Sequence, residues 1–294
     1  MMLIAGTVPV ADLPLIVGTV QAEGELLVVD GYRIPRTQGT GAMIGAALAT
    51  TEYLKLEAPL VLIAGDTGRG TGTQKIYQYL IQSVTKLAPR VLALHYCLPN
   101  MGLMRRLCEA IDRCSKRPVM IADAGSMYAA KAGGLATEFD IFTPDVSEMA
   151  FLADRNATHP AYISRHLFDT DIAQTPRLVE EAHKNGGAPE IILAKGSTDY
   201  VIRDGEILTT ITEPDVPELE AIGGTGDTIT GLVAALAYGG LELQEAAIVA
   251  AKTNRMAGKL AGVTPVSKVG EIIDQFEVVF KAFLEEWRGR REAA

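Results

Sequence analysis

Gly223-Gly-Thr-Gly-Asp227 stands directly ahead of the apolar run "TITGLVAALAYGG". The first turn of a helix leaves backbone N–H groups without partners and carries a partial positive charge. Glycines let an anion approach that backbone closely, so Gly224, Thr225 and Gly226 can present N–H groups to a phosphate. Asp227, in the first turn, would then stand beside the phosphoryl group, where a carboxylate can take the proton of an attacking hydroxyl. Helix capping by Thr225 and Asp227, with glycines making the turn, accounts for the same residues without any ligand.

Other stretches carry comparable chemistry. "GDTGRGTGTQK" (65–75) sets four glycines between a strand and a helix, but Thr71 follows Gly70 where a Walker loop needs Gly-Lys, and Rossmann spacing is absent. Asp66 and Arg69 in it can hold a substrate's hydroxyl or acidic group; an ordinary strand-to-helix loop fits as well. In "TPDVSE" (143–148) Asp145 and Glu148 lie three apart, so both can face one side of a helix start and hold Mg²⁺ through water. A helix cap built from Asp145, Ser147 and Glu148 is the alternative. Lys195-Gly196 ends a strand, where the lysine meets either a phosphate or solvent, and Asp123 in "IADAG" is placed like it. His95, His159, His166 and His183 share no metal-binding spacing, which favours core or surface roles. Met101 and Met104 read as core or pocket filler.

Something must position these groups. Short apolar runs at 26–30, 59–66, 90–96, 118–124, 140–145 and 190–196 read as buried strands, and 73–87, 100–117 and 174–186 have helical spacing between them. Strand then helix, repeated, means a mainly parallel sheet. Residues 199–212 alternate around Asp204-Gly205 and predict a hairpin. Three helices follow, at 227–238, about 243–261 and about 268–287, and "RGRREAA" reads as a frayed end. No linker or repeat divides the chain, so residues 1–294 are expected to form one α/β domain. Asp66, Asp123, Thr143–Asp145 and Lys195 all follow strands, and ligands of open α/β sheets bind outside the carboxyl ends of the strands.

Composition narrows the function classes. With 48% hydrophobic and 21% charged residues the chain suits a soluble globular protein and not a disordered one. A net charge of −9 without a basic patch disfavours nucleic acid and membrane surfaces as partners, while leaving room for a small anionic ligand held by backbone amides. Cys97, Cys108 and Cys114 show neither disulfide framework nor C-x-x-C, which points to a reduced cytoplasmic setting. The start is apolar, but Pro9, Asp12 and Pro14 interrupt it and no basic segment precedes it, so neither signal peptide nor membrane span is expected.

Taken in order, "IADAG", "TPDVSE", "IILAKGSTDYVI" (191–202), "AIGGTGDTITGLVAAL" (221–236) and "AGVTPVSKVGEI" (261–272) resemble the ribokinase-like superfamily over roughly 118–272. The resemblance implies a three-layer fold with a mainly parallel sheet between helices, and ATP or ADP and Mg²⁺ as cofactors; the residues leave a homo-oligomer open as an option. It implies Asp227 as catalytic base and Gly224–Gly226 as the anion hole. Glu148 matches the acidic member of the family's N-x-x-E motif, with Asp145 where asparagine is usual. Lys195 and Gly196, with Lys252 and Asn254 in the segment after the Asp227 helix, fall to the nucleotide, and Asp66, Arg69 and Asp123 to the acceptor. "GGTGD", "TPDVSE" and "IADAG" look like the NAD(P)H-hydrate dehydratase branch, although its H-K-G and G-P-G-L-G are missing and Asp-Val-Ser replaces His-Pro-Gly. Thiazole and hydroxymethylpyrimidine kinases carry cysteine where Asp227 stands. The expected order is therefore a small-molecule kinase first, the dehydratase second, and a nucleotide-binding protein without catalysis third.

Overall fold

The interrupted apolar start becomes the middle of the molecule. In a computed structural model, described for residues 1–158 and 175–288, Met2–Val8 forms strand β1, buried along its whole length. It runs parallel to β5 (Leu60–Gly65) on one side and β6 (Val91–His95) on the other. Beyond β6 come β7 (Val119–Ala122), β8 (Ile141–Phe142) and β9 (Ile191–Ala194), all parallel. Antiparallel strands extend both edges: β10 (Asp199–Arg203) and β11 (Glu206–Ile211) beyond β9, and β2 (Ile16–Glu23), β3 (Leu26–Val29) and β4 (Tyr32–Pro35) beyond β5. Among the described residues eleven strands form the sheet, ordered β11-β10-β9-β8-β7-β6-β1-β5-β2-β3-β4. The run 26–30, expected as a buried strand of the parallel set, is instead a half-buried member of the antiparallel edge.

Side chains alternate faces along a strand, and β1 shows the consequence. Met2 and Ile4 join the core with the helices Gly39–Tyr53, Thr225–Tyr238 and Leu243–Ala261, while Leu3 and Ala5 join the core with Thr71–Leu87 and Met101–Ile111. These are the three expected layers. The helix Gly39–Tyr53 has no counterpart in the sequence reading, because it is buried on nearly every side and so lacks a polar stripe. It lies against Thr225–Tyr238 so closely that a Cβ on Gly231 would sit 2.2 Å from the Met43 carbonyl oxygen. Among the described residues no helix is long and apolar enough to cross a membrane. His159, His166 and the tail from residue 289 fall outside the described residues.

Candidate active site

The helix Thr225–Tyr238 begins with its N-terminus in a cavity of about 750 Å³ at the carboxyl ends of β6, β7 and β9. Gly224 caps it at φ 99°, a left-handed conformation that a side chain disfavours. A Cβ at Gly224 would also lie 3.1 Å from Ala42, Gln38 and Thr37 atoms. Thr225 is tied into the preceding turn, its hydroxyl donating to Leu219 O at 2.9 Å. Among the described residues no acceptor meets the N–H groups of Gly226 and Asp227, and both residues line the cavity. The Lys195 side chain lies against Gly226: a Cβ there would meet Nζ at 3.6 Å, an ordinary contact.

Asp227 is gripped from behind. Its Oδ2 accepts from the Gly39 N–H at 2.7 Å, and its Oδ1 lies 2.9 Å from His95 Nε2. The other ring nitrogen, Nδ1, is 3.1 Å from Thr40 Oγ1, which donates its only proton to Thr7 O at 2.6 Å. Thr40 must therefore accept from His95 Nδ1. Burial would push the Asp227 carboxyl up, but the His95 hydrogen bond and charge, Lys195 and the Gly39 N–H hold it below the ordinary range.

A second buried charge pair lies alongside. Lys195 Nζ is 2.8 Å from Asp123 Oδ2, which also accepts from Thr230 Oγ1 at 2.5 Å; Thr143 supports Thr230 at 2.8 Å. Burial disfavours the ammonium, yet Asp123 and Glu148 raise its pKa well above the usual lysine value. Although His95, Asp123 and Asp227 bring ligand atoms within 4.8 Å of one another, Lys195 already neutralises Asp123 there.

Asp145 and Glu148 are both a helix cap and part of the cavity wall. Asp145 Oδ1 accepts from the Glu148 N–H and Glu148 Oε2 from the Asp145 N–H, each at 2.8 Å. Tyr128 donates to Glu148 Oε1 at 2.7 Å. Asp145 is drawn beside Lys195 by a parallel bridge that prolongs β8 and β9. Burial, with the charges of Asp145 and Asp123, pushes the Glu148 carboxyl up to about 8. Hard oxygens already engaged by protein donors suit Mg²⁺, which keeps several of its waters, so these two residues fit a water-mediated ion.

The remaining candidates divide. Gly196 and Asn254 line the cavity with Val216, Pro217 and Leu219, an apolar wall beside polar groups. Lys252 does not line it: two residues from Asn254 on a helix it faces the other way, its Nζ 5.8 Å from the Trp287 ring centre. Asp66 and Arg69 are not cavity residues either. Asp66 accepts from the N–H groups of Gly68, Arg69, Gly70 and Thr73, so it shapes its own loop. Asp123 does line the cavity, but committed to Lys195 and Thr230.

Two residues escaped the sequence reading. His95 was assigned to core or surface, and nothing in its spacing announces a partner 132 residues away. Arg255, next to Asn254, is buried and donates to Asp199 and to the carbonyls of Gly196, Ser197 and Thr212, bracing the cavity's far loop. An arginine inside an alanine-rich helix was the available signal.

A protein family described as NAD(P)H-hydrate dehydratase matches residues 38–269. An uncharacterized protein of Methanocaldococcus jannaschii is 39% identical over 232 residues, covering 79% of this chain and 95% of that one. The bifunctional NAD(P)H-hydrate repair enzyme of Pyrobaculum aerophilum is 32% identical over 165 residues, 55% of this chain and 30% of that enzyme, so the match spans under a third of its length. The ADP/ATP-dependent NAD(P)H-hydrate dehydratase of Bacillus subtilis, co-crystallized with ATP/Mg²⁺ and soaked with CoA, shares the fold with a TM-score of 0.57 at 16% identity, over 96% of this chain and 90% of that one.

Proposed function

Because the chain belongs to the NAD(P)H-hydrate dehydratase family, within the ribokinase-like superfamily, we propose that it catalyses ADP- or ATP-dependent dehydration of hydrated nicotinamide nucleotides. This reverses the order drawn from the sequence, where a small-molecule kinase came first; the family match over residues 38–269 favours the dehydratase. One observation carries the chemistry: Asp227 faces the cavity beside the unpartnered Gly226 and Asp227 N–H groups and the Lys195 ammonium.

In this reading the nucleotide's terminal phosphoryl lies against the helix N-terminus, its base toward Val216, Pro217 and Asn254. Asp227 accepts the proton of the substrate hydroxyl as its oxygen bonds to phosphorus and the bond to the leaving nucleotide breaks. The C–O bond then breaks, releasing phosphate, and loss of a proton from the adjacent ring carbon restores the double bond. Lys195 and the two N–H groups offset the charge that gathers on phosphoryl oxygens. Mg²⁺, when bound through Asp145 and Glu148, supplies further charge neutralisation on the phosphates.

The test follows terminally labelled ATP and ADP with Mg²⁺ and hydrated NADH. Free labelled phosphate formed together with NADH is the expected result. Label retained on an acceptor would make the protein a kinase, a reading the altered Asp145-Val-Ser keeps in view.

Two pH effects follow. Because the Asp227 carboxyl is held low, the proposed base stays ionised through neutrality, and activity is lost only as pH falls through that lowered value. Replacing His95 by asparagine removes the opposing charge, lets burial dominate, and should move the acid limb of the kcat profile to higher pH; superimposable profiles would refute the pairing. Glu148 behaves in the opposite sense. Its raised value means it is protonated below about 8 and ionises as pH rises through that point. The Mg²⁺ concentration for half-maximal activity should therefore fall with rising pH across this window, and in Glu148→Gln that trend should vanish.

A further inference from the structure

We propose that the ring of Tyr96 is the platform on which the conjugated N–C=C–carboxamide face of the acceptor's partly saturated ring rests, so that Tyr96 selects such heterocyclic acceptors over sugars, which have no π face. The proposal builds on the phosphoryl-transfer reading and names the acceptor side of that same site.

The chain turns abruptly at this residue. β6 ends at His95, and Tyr96 follows at φ 50°, a left-handed conformation that a bulky aromatic residue seldom adopts. The turn is pinned by Thr7 Oγ1, which donates to the Tyr96 carbonyl at 2.5 Å. Such backbone strain clusters where a side chain must be aimed. What it aims here is an aromatic ring 49% exposed in a wall of the cavity that holds Asp227.

The ring is supported on the protein side. His95 meets it edge to face, with centroids 4.5 Å apart and planes at 71°. Gly39 lies alongside, where a Cβ would come within 3.7 Å of the Tyr96 Cδ2 and Cε2. Both supports also hold Asp227, His95 through Nε2 and Gly39 through its N–H. Platform and proposed base are thus rigidly linked, which is what placing a hydroxyl on a carboxylate requires. Burial, with Asp227, Asp123 and Glu148, keeps the phenol well above its usual pKa, so the ring stays neutral beside them.

Topology assigns the two ends of the cavity. Lys195 follows β9 and Tyr96 follows β6, three strands apart in the sheet order, or roughly 14 Å at the usual strand spacing. Asn254 belongs with the Lys195 end, because its neighbour Arg255 donates to the carbonyls of Gly196 and Ser197. A nucleotide on that side leaves Tyr96 to the acceptor, whose conjugated segment offers a face for an offset stacking contact.

The experiment measures KM for hydrated NADH and for nucleotide separately in Tyr96→Ala and Tyr96→Phe. Tyr96→Ala should raise the acceptor KM about tenfold, the loss expected for one stacking contact, with nucleotide KM unchanged. Tyr96→Phe, which keeps the face, should behave as wild type. An unchanged acceptor KM in Tyr96→Ala, or an equal rise in both KM values, would overturn the proposal. A second readout needs no turnover. Trp287 is the sole tryptophan, so Tyr96→Trp in a Trp287→Phe background reports from the platform alone. NADH should quench its emission, whereas ribose should not; no quenching by saturating NADH would also overturn the proposal. Quenching without any dehydration would leave the platform standing and sink the dehydratase reading, so the two failures are distinct.

Discussion

Asp227→Asn is expected to lower kcat by roughly 10²–10⁴-fold, the usual worth of a positioned general base. The amide keeps the size of the side chain and cannot accept the hydroxyl proton. The helix N-terminus is untouched, so nucleotide affinity should stay within a few-fold of wild type. A cost in stability is also expected, because the carboxylate accepts from both Gly39 N–H and His95 and the amide oxygen cannot serve both. Single-turnover kinetics with labelled nucleotide, run beside thermal unfolding, separates the two effects. Turnover of the folded variant at more than a tenth of the wild-type rate would remove Asp227 from the role of base.

Lys195→Met is the second large effect, and it falls on stability. The ammonium and Asp123 are both buried, with one 2.8 Å contact between them. Deleting the cation leaves Asp123 with Thr230 and, at 3.7 Å, a His95 that is already engaged by Asp227, and losing one partner of a buried pair costs about 3–5 kcal/mol. The Asp123→Asn exchange added to Lys195→Met should restore much of that loss, because the stranded charge is then gone. Denaturant unfolding of the two single variants and the double variant gives the coupling directly. Additive losses would mean that the pair is no energetic unit in the folded protein.

How far the residues alone anticipated this molecule depends on the range of the interaction concerned. Local apolar periodicity carried most strands and helices, and the hairpin at 199–212 appears as β10 and β11. It failed where burial is complete. Met2–Val8 and Gly39–Tyr53 are apolar on nearly every side, so neither shows the contrast that pattern reading needs. The family resemblance was read from about residue 118, whereas the match begins at residue 38. The motifs read before it were right about proximity among Asp227, Lys195, Asp145, Glu148 and Asp123, which the structure gathers around one cavity. Position along the chain does not reveal that Lys252 and Asp66 stand outside the cavity lining: two steps along a helix reverse the face, and a loop rich in backbone N–H groups engages the Asp66 carboxylate.

Residue types and their order were sufficient for a glycine-capped helix N-terminus with an acid in its first turn and for the layered α/β scheme. Those depend on backbone geometry within a few residues, which spacing encodes. Which groups bear on that acid was decided in three dimensions. Strand order sets the end of β6 beside the start of the Asp227 helix, and only there do His95, Gly39 and Tyr96 meet. A charge partner 132 residues distant leaves no periodic trace in the chain. The protonation balance of Asp227 therefore depends on packing across the sheet, where burial and one imidazole act against each other.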